Sequence, residues 1–116
     1  MSHGDAPYDI HVEAKSVGDD IFAAVTGGTR AHIGAVAFAE PAGEQQEPSP
    51  CVSSISGFGH KDAVLAEMFA KGLCAKYGVN VCAAAGVHVD EASSADIELL
   101  LGNAEKLLAR LTGPAV

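Results

Sequence analysis

Tryptophan is absent from this chain, and aromatic residues make up only 5% of its 116 positions. A core without large rings has to be assembled from Ala, Val, Ile and Leu, with backbones that approach closely. Cations are scarce too: seven Lys and Arg stand against 15 Asp and Glu, for a net charge of −8, and the cations never cluster. That excludes nucleic acid as a partner, because phosphate neutralisation needs grouped cations, and it argues equally against an anionic membrane surface. No apolar run approaches the roughly 20 residues that cross a bilayer. The N-terminal "MSHGDAPYD" is too acidic and polar for a signal peptide. The three cysteines, Cys51, Cys74 and Cys82, show no CxxC spacing, so they suggest a reduced, cytoplasmic setting rather than a metal or disulfide framework. There is no GxSxG elbow, and no cysteine has an electropositive neighbourhood, which leaves a nucleophilic hydrolase unsupported.

What is present reads as one domain over residues 1–116, long enough to bury a core without staples. "YDIHVEAKSV" alternates, with Ile10, Val12 and Ala14 on one face and His11, Glu13 and Lys15 on the other, and predicts a strand. "GDD" turns the chain into "IFAAVTGG", a second strand antiparallel to the first. "HIGAVAFA" and "CVSSIS" are further strands, separated by "EPAGEQQEPSP", whose prolines and glutamates predict a mobile loop over residues 40–50. Residues 1–6 are expected to be disordered. After "GFG" the period changes to 3.6: Val64, Leu65, Met68, Phe69, Leu73 and Tyr77 share a stripe, predicting a helix from His60 to Tyr77 that ends at Gly78. "VNVCAAAGVHV" is a fifth strand. Ser93 and Asp96 have capping-box spacing and open a last helix that buries Ile97, Leu100, Leu101, Ala104, Leu107, Leu108 and Leu111. The order ββββαβα predicts an α+β domain, its sheet mostly antiparallel, with two helices packed on one face.

The strands from Ile21, His32 and Val79 onward are apolar at nearly every position, which predicts burial on both sheet faces. Two helices cover one face only. A second copy of the chain would cover the other, making a homodimer or higher homo-oligomer.

Three groups of residues could carry chemistry. His32 opens one strand, His60 opens the first helix, and His88 closes a strand. With Asp90 or Asp62 as an oxygen ligand, His32, His60 and His88 could form an open three-ligand metal site. No short ligand spacing supports it, and antiparallel strands could place His32 and His88 at opposite ends; the reading of each histidine as a hydrogen-bonding turn residue is preferred. In "SGFGHKDAV" a glycine-flanked loop feeds a helix N-terminus, where free N–H groups, His60 and Lys61 suit a phosphate or carboxylate, unless Asp62 is itself the anion at that end. In "TGGTRAH" the paired glycines could leave N–H groups open as an anion nest beside Arg30. A plain turn with an exposed arginine explains the same residues.

Taken together, "TGGTRAHIGAVAFAE", "SGFGHKDAVLAEMFAKGL" and "GVHVDEASSADIELLLGNAEKLL" resemble the small accessory component of gallate decarboxylase, the prenylated-flavin chaperone LpdD-like family. The resemblance runs from Asp19 to Leu108 in the same order, and between Glu40 and Ser53 the chain departs from the family pattern. It implies a non-catalytic accessory subunit that helps deliver or mature prenylated FMN, or FMN, for the catalytic subunit of a decarboxylase acting on aromatic acids. It further implies transient flavin binding without a metal. On that view His60 and Lys61 meet the phosphate, with Gly59 in the loop before them. Gly27, Gly28 and Arg30 line the approach, and His32 and His88 flank the ring system.

Overall fold

Alternation along each strand decides which side chains turn inward. The structure, a computed structural model, describes residues 1–41, 50–57 and 60–113, the side chain of His60 excepted. The loop expected at residues 40–50 therefore falls mainly outside the described residues.

The strands are β1 (Ser2–His3), β2 (Ile10–Val17), β3 (Asp20–Gly28), β4 (Ala35–Glu40), β5 (Cys51–Ser56) and β6 (Val81–His88); the helices are α1 (His60–Tyr77) and α2 (Ser94–Thr112). The α+β reading holds, with one short strand, β1, added ahead of the expected order by pairing Ser2 with His11 and His3 with Ile10. The six strands form one sheet in the order β1-β2-β3-β6-β4-β5. β6 pairs in parallel with β3 and antiparallel with β4. Its middle position follows from composition: Val81, Ala83, Ala84, Ala85 and Val87 are all buried, and an apolar run without alternation belongs where both flanks are strands.

Both helices keep their expected boundaries. α1 ends at Gly78, whose N–H donates to the Cys74 carbonyl at 2.8 Å. Ser93 caps α2 with a complete capping box to Asp96, an arrangement worth about 1 kcal/mol. The buried stripe of α1 is rotated from the expected one. Leu65, Ala66, Phe69, Ala70, Leu73 and Cys74 face the sheet, whereas Val64 and Tyr77 are exposed. Small residues at positions 66, 70 and 74 let the helix approach the alanine-rich strands, with Leu65, Phe69 and Leu73 packing beside them while Val64 and Tyr77 fall on the outer side.

The expectation that both sheet faces are buried holds for one face in this single chain. Ala35, Ala37 and Ala39 of β4 point under α1 and are at most 3% exposed, while the intervening Val36 and Phe38 are 37% and 42% exposed. The N-terminal segment is held on α2 by the Tyr8 hydroxyl, which donates to Asp96 Oδ1 at 2.9 Å, and by Asn103 Nδ2, which donates to the Tyr8 carbonyl at 2.9 Å.

Candidate functional site

Strand pairing builds the site. In the β4–β6 ladder Ala35 pairs with Ala85, so the residues just before β4 lie against the last residues of β6. Adjacent antiparallel strands bring the start of one to the end of the other. His32 and His88 therefore meet, with ring centroids 6.4 Å apart in an edge-to-face arrangement, and the antiparallel pairing that could have separated them is what joins them.

Two glycines permit the meeting. A Cβ on Gly86 would lie 1.9 Å from the His32 carbonyl oxygen, so only glycine lets the chain at His32 cross β6. A Cβ on Gly34 would lie 2.0 Å from Asp62 Oδ2; its absence lets the first turn of α1 close onto the start of β4. Gly34 N–H donates to the Ala85 carbonyl at 2.8 Å, which locks that approach.

Asp62 is the buried centre of the arrangement, 1% exposed. Its Oδ1 accepts the Val87 N–H at 3.0 Å, and its Oδ2 lies 3.2 Å from His32 Nε2. The carboxyl thus ties α1 to β6 and to the β3–β4 connection at once. Its place in the first helical turn adds the favourable interaction of an acid with the positive helix end. With Nε2 turned to the carboxyl, His32 Nδ1 is buried and has no hydrogen-bond partner among the described residues. His88 pairs at the surface instead, its Nε2 lying 2.7 Å from Asp90 Oδ1.

These residues border an open cleft of about 700 Å³. His32, Lys61, Asp62 and His88 supply its polar side; Ile33, Val36 and Ile55 form an apolar wall; Gly34, Ala35, Ser56 and Gly57 complete the lining. Of the residues marked in the sequence, His32, Lys61, Asp62 and His88 come together here. Gly27, Gly28 and Arg30 do not line the cleft. Gly28, at φ +77°, sits against the His88 carbonyl, to which a Cβ would approach within 2.1 Å. The neighbouring Thr29 N–H donates to that same carbonyl at 2.7 Å and the Gly28 N–H to the Asp9 carbonyl at 3.3 Å, so both donors are engaged by backbone. Arg30 is exposed. Gly59 and the side chain of His60 lie outside the described residues. Among the described residues no group of three or more His, Cys, Asp or Glu is placed to hold a metal ion.

The sequence marks Asp62 as a helix-end anion or metal ligand but gives no sign of its pairing with His32. Gly34 and Gly86 carry no local signal either, beyond being glycines within or beside apolar strands, a mark of close backbone approach.

The fold and the site together define an α+β domain with a histidine–aspartate cleft at one end of its sheet. The chain belongs to the prenylated flavin chaperone LpdD-like domain family, whose model matches residues 4–113. No curated protein matches the sequence. Among solved structures it is similar to one described as "Crystal Structure of a Novel Chaperone Complex for Yeast 20S Proteasome Assembly", with a TM-score of 0.63 at 12% identity over 96% of this chain and 87% of that one. At that identity the likeness is one of fold. Among the described residues no helix is long and apolar enough to cross a membrane.

Proposed function

We propose that this chain binds prenylated FMN, or FMN, transiently in the His32–Lys61–His88 cleft and passes it to the catalytic subunit of a prenylated-FMN-dependent, gallate-type decarboxylase in the cytoplasm. It acts as a non-catalytic accessory subunit and as a homo-oligomer. The observation that carries the reading is the buried His32 Nδ1, unpartnered among the described residues, beside an apolar wall and a lysine in a cleft of about 700 Å³. Cofactor sites of roughly 300–1,000 Å³ are built this way, mostly apolar with a few placed polar groups, and the family is one of prenylated flavin chaperones.

The residues fit the group. Lys61 in the first turn of α1 supplies the cation for the phosphate. A phosphate at this end of α1 competes with Asp62 for the positive helix end, a term worth only about 0.3–1 kcal/mol, so the lysine carries most of the attraction. Ile33, Val36 and Ile55 take the apolar surface of the ring system. His32, held by Asp62, offers Nδ1 to its polar edge, and His88 stands at the rim. The prenylated flavin, when bound, supplies chemistry that belongs to the partner's decarboxylation. The openness of the cleft suits a carrier, since tight cofactor sites bury about 70–90% of their ligand's surface.

Native mass spectrometry of the purified chain with FMN and with prenylated FMN tests this directly. One bound flavin per chain, lost in Lys61→Ala with folding unchanged, supports the reading; no bound flavin at any excess overturns it.

A further inference from the structure

We infer that the helix-free face of the sheet receives a second copy of this chain, and that this copy supplies the wall the cleft lacks. The inference rests on the homo-oligomer part of the function proposed above and deepens it by naming the surface and its relation to the site.

The ladder fixes what the face presents. Phe22 pairs with Cys82 and Ala24 with Ala84; Phe38 pairs with Cys82 and Val36 with Ala84 across the other flank of β6. Ile55 continues the row beyond Val36 and is 81% exposed. Four neighbouring strands thus carry a contiguous apolar surface. At about 4.8 Å between strands and 3.3 Å per residue, these positions span roughly 15 Å across the strands and 7 Å along them, before side-chain width is added. Monomers rarely expose apolar patches beyond a few hundred Å². A standard interface takes roughly 800 Å² from each partner; these residues form the apolar centre of such a surface, and the flanking strands form its rim.

Charge selects the occupant. The chain carries −8 overall, so two copies repel wherever their carboxylates face one another. The central positions of this face, on β3, β6 and β4, hold no ionisable side chain other than the Cys82 thiol. Its charged residues stand at the margins: Glu13 and Lys15, of opposite sign, on the outer strand β2, and Asp20 and Glu40 at the ends of β3 and β4. An unlike partner recruited by an acidic protein would be steered by cations toward carboxylates, which this face does not offer at its centre. A self-complementary apolar patch is what an isologous two-fold contact uses.

Continuity ties the face to the cleft. Val36 and Ile55 belong to both, and Ile33, 74% exposed, extends the wall outward. A copy seated on Phe38 and Ile55 stands over the open side of the cleft, so the ligand is enclosed only in the dimer.

Sedimentation equilibrium of the full chain without flavin, at tens of micromolar, is the test. Expected is a mass of twice the 11.7 kDa chain, falling to one copy in Phe38→Asp and in Ile55→Glu with unchanged far-UV circular dichroism. Ile55 is too exposed for its replacement to unfold a monomer, so it decides the matter if Phe38→Asp misfolds. A monomeric wild type, or a dimer indifferent to both substitutions, overturns the interface. Flavin titration then separates the claims. Phe38 does not line the cleft, so an affinity loss of about tenfold or more in monomeric Phe38→Asp supports the completed wall, and unchanged affinity overturns it. A dimer that dissociates as expected while the wild type takes up no flavin leaves the interface standing and removes only the flavin reading.

Discussion

Asp62 Oδ2 and His32 Nε2 lie 3.2 Å apart, with the carboxylate side chain 2% exposed and the imidazole 34% exposed. An ionised carboxyl accepts only, so the contact assigns the proton to Nε2 and leaves Nδ1 as the free nitrogen. Position, tautomer and orientation of His32 are thus set by one buried residue on another element.

Asp62→Asn should invert that polarity. The amide oxygen can still accept the Val87 N–H, while the amide N–H₂ faces His32 and makes Nε2 the acceptor. Nitrogen-15 imidazole spectra should show the proton moving to Nδ1, with flavin affinity reduced and the fold retained. Asp62→Ala leaves the buried Val87 N–H unpaired and should cost about 1–3 kcal/mol, read as a lower urea midpoint. Spectra identical to wild type in Asp62→Asn would show that the carboxyl does not hold the tautomer.

Gly34→Ala and Gly86→Ala should each destabilise the chain by about 1–3 kcal/mol through overpacking, because the added Cβ meets Asp62 Oδ2 at 2.0 Å or the His32 carbonyl at 1.9 Å. Gly102→Ala is the control. Among the described residues nothing beyond its own stretch of helix lies within 4 Å of that Cβ, and alanine in mid-helix should stabilise by roughly 0.5–1 kcal/mol. Urea unfolding of the three variants checks the opposite signs.

Lys61→Ala should weaken flavin binding by about tenfold, in line with a charged hydrogen bond worth roughly 1.5 kcal/mol or more, and Arg30→Ala should leave it unchanged. Lys61 lines the cleft and Arg30 does not. Equal losses in both variants would place the phosphate near the β3–β4 connection instead.

The Tyr8–Asp96 latch should make stability fall at both ends of the pH range. The Ser93 backbone N–H, and after it the Tyr8 hydroxyl, hold the Asp96 carboxyl below its usual value, while Asp96 pushes the Tyr8 hydroxyl above 10.0. A lowered carboxyl contributes stability above its unfolded value, about 3.9, and loses it as pH drops through the folded one. A raised phenol contributes below about 10 and loses it as pH climbs through the folded value. The thermal midpoint of Asp96→Asn should therefore lie below wild type at neutral pH and converge with it in acid, and that of Tyr8→Phe should converge in alkali. Gaps that stay constant with pH would mean that the latch is not linked to titration.

The elements set by neighbours in the chain were legible from the residues alone. The 3.6 period and Gly78 bound α1, Ser93 and Asp96 cap α2, and the alternation in Ile10 to Lys15 orients β2, because each depends on hydrogen bonds and side chains close by in the chain. The family, too, was legible in three motif blocks. Tertiary structure alone decided that β6 enters between β3 and β4, a matter of which distant strands pair. That choice brings His32 to His88, buries Asp62 beside Gly34, and leaves Val36 and Phe38 uncovered while their neighbours Ala35 and Ala37 are sealed under α1. Period-2 geometry says that alternate residues part company, but only the helices' choice of face says which of them meet water.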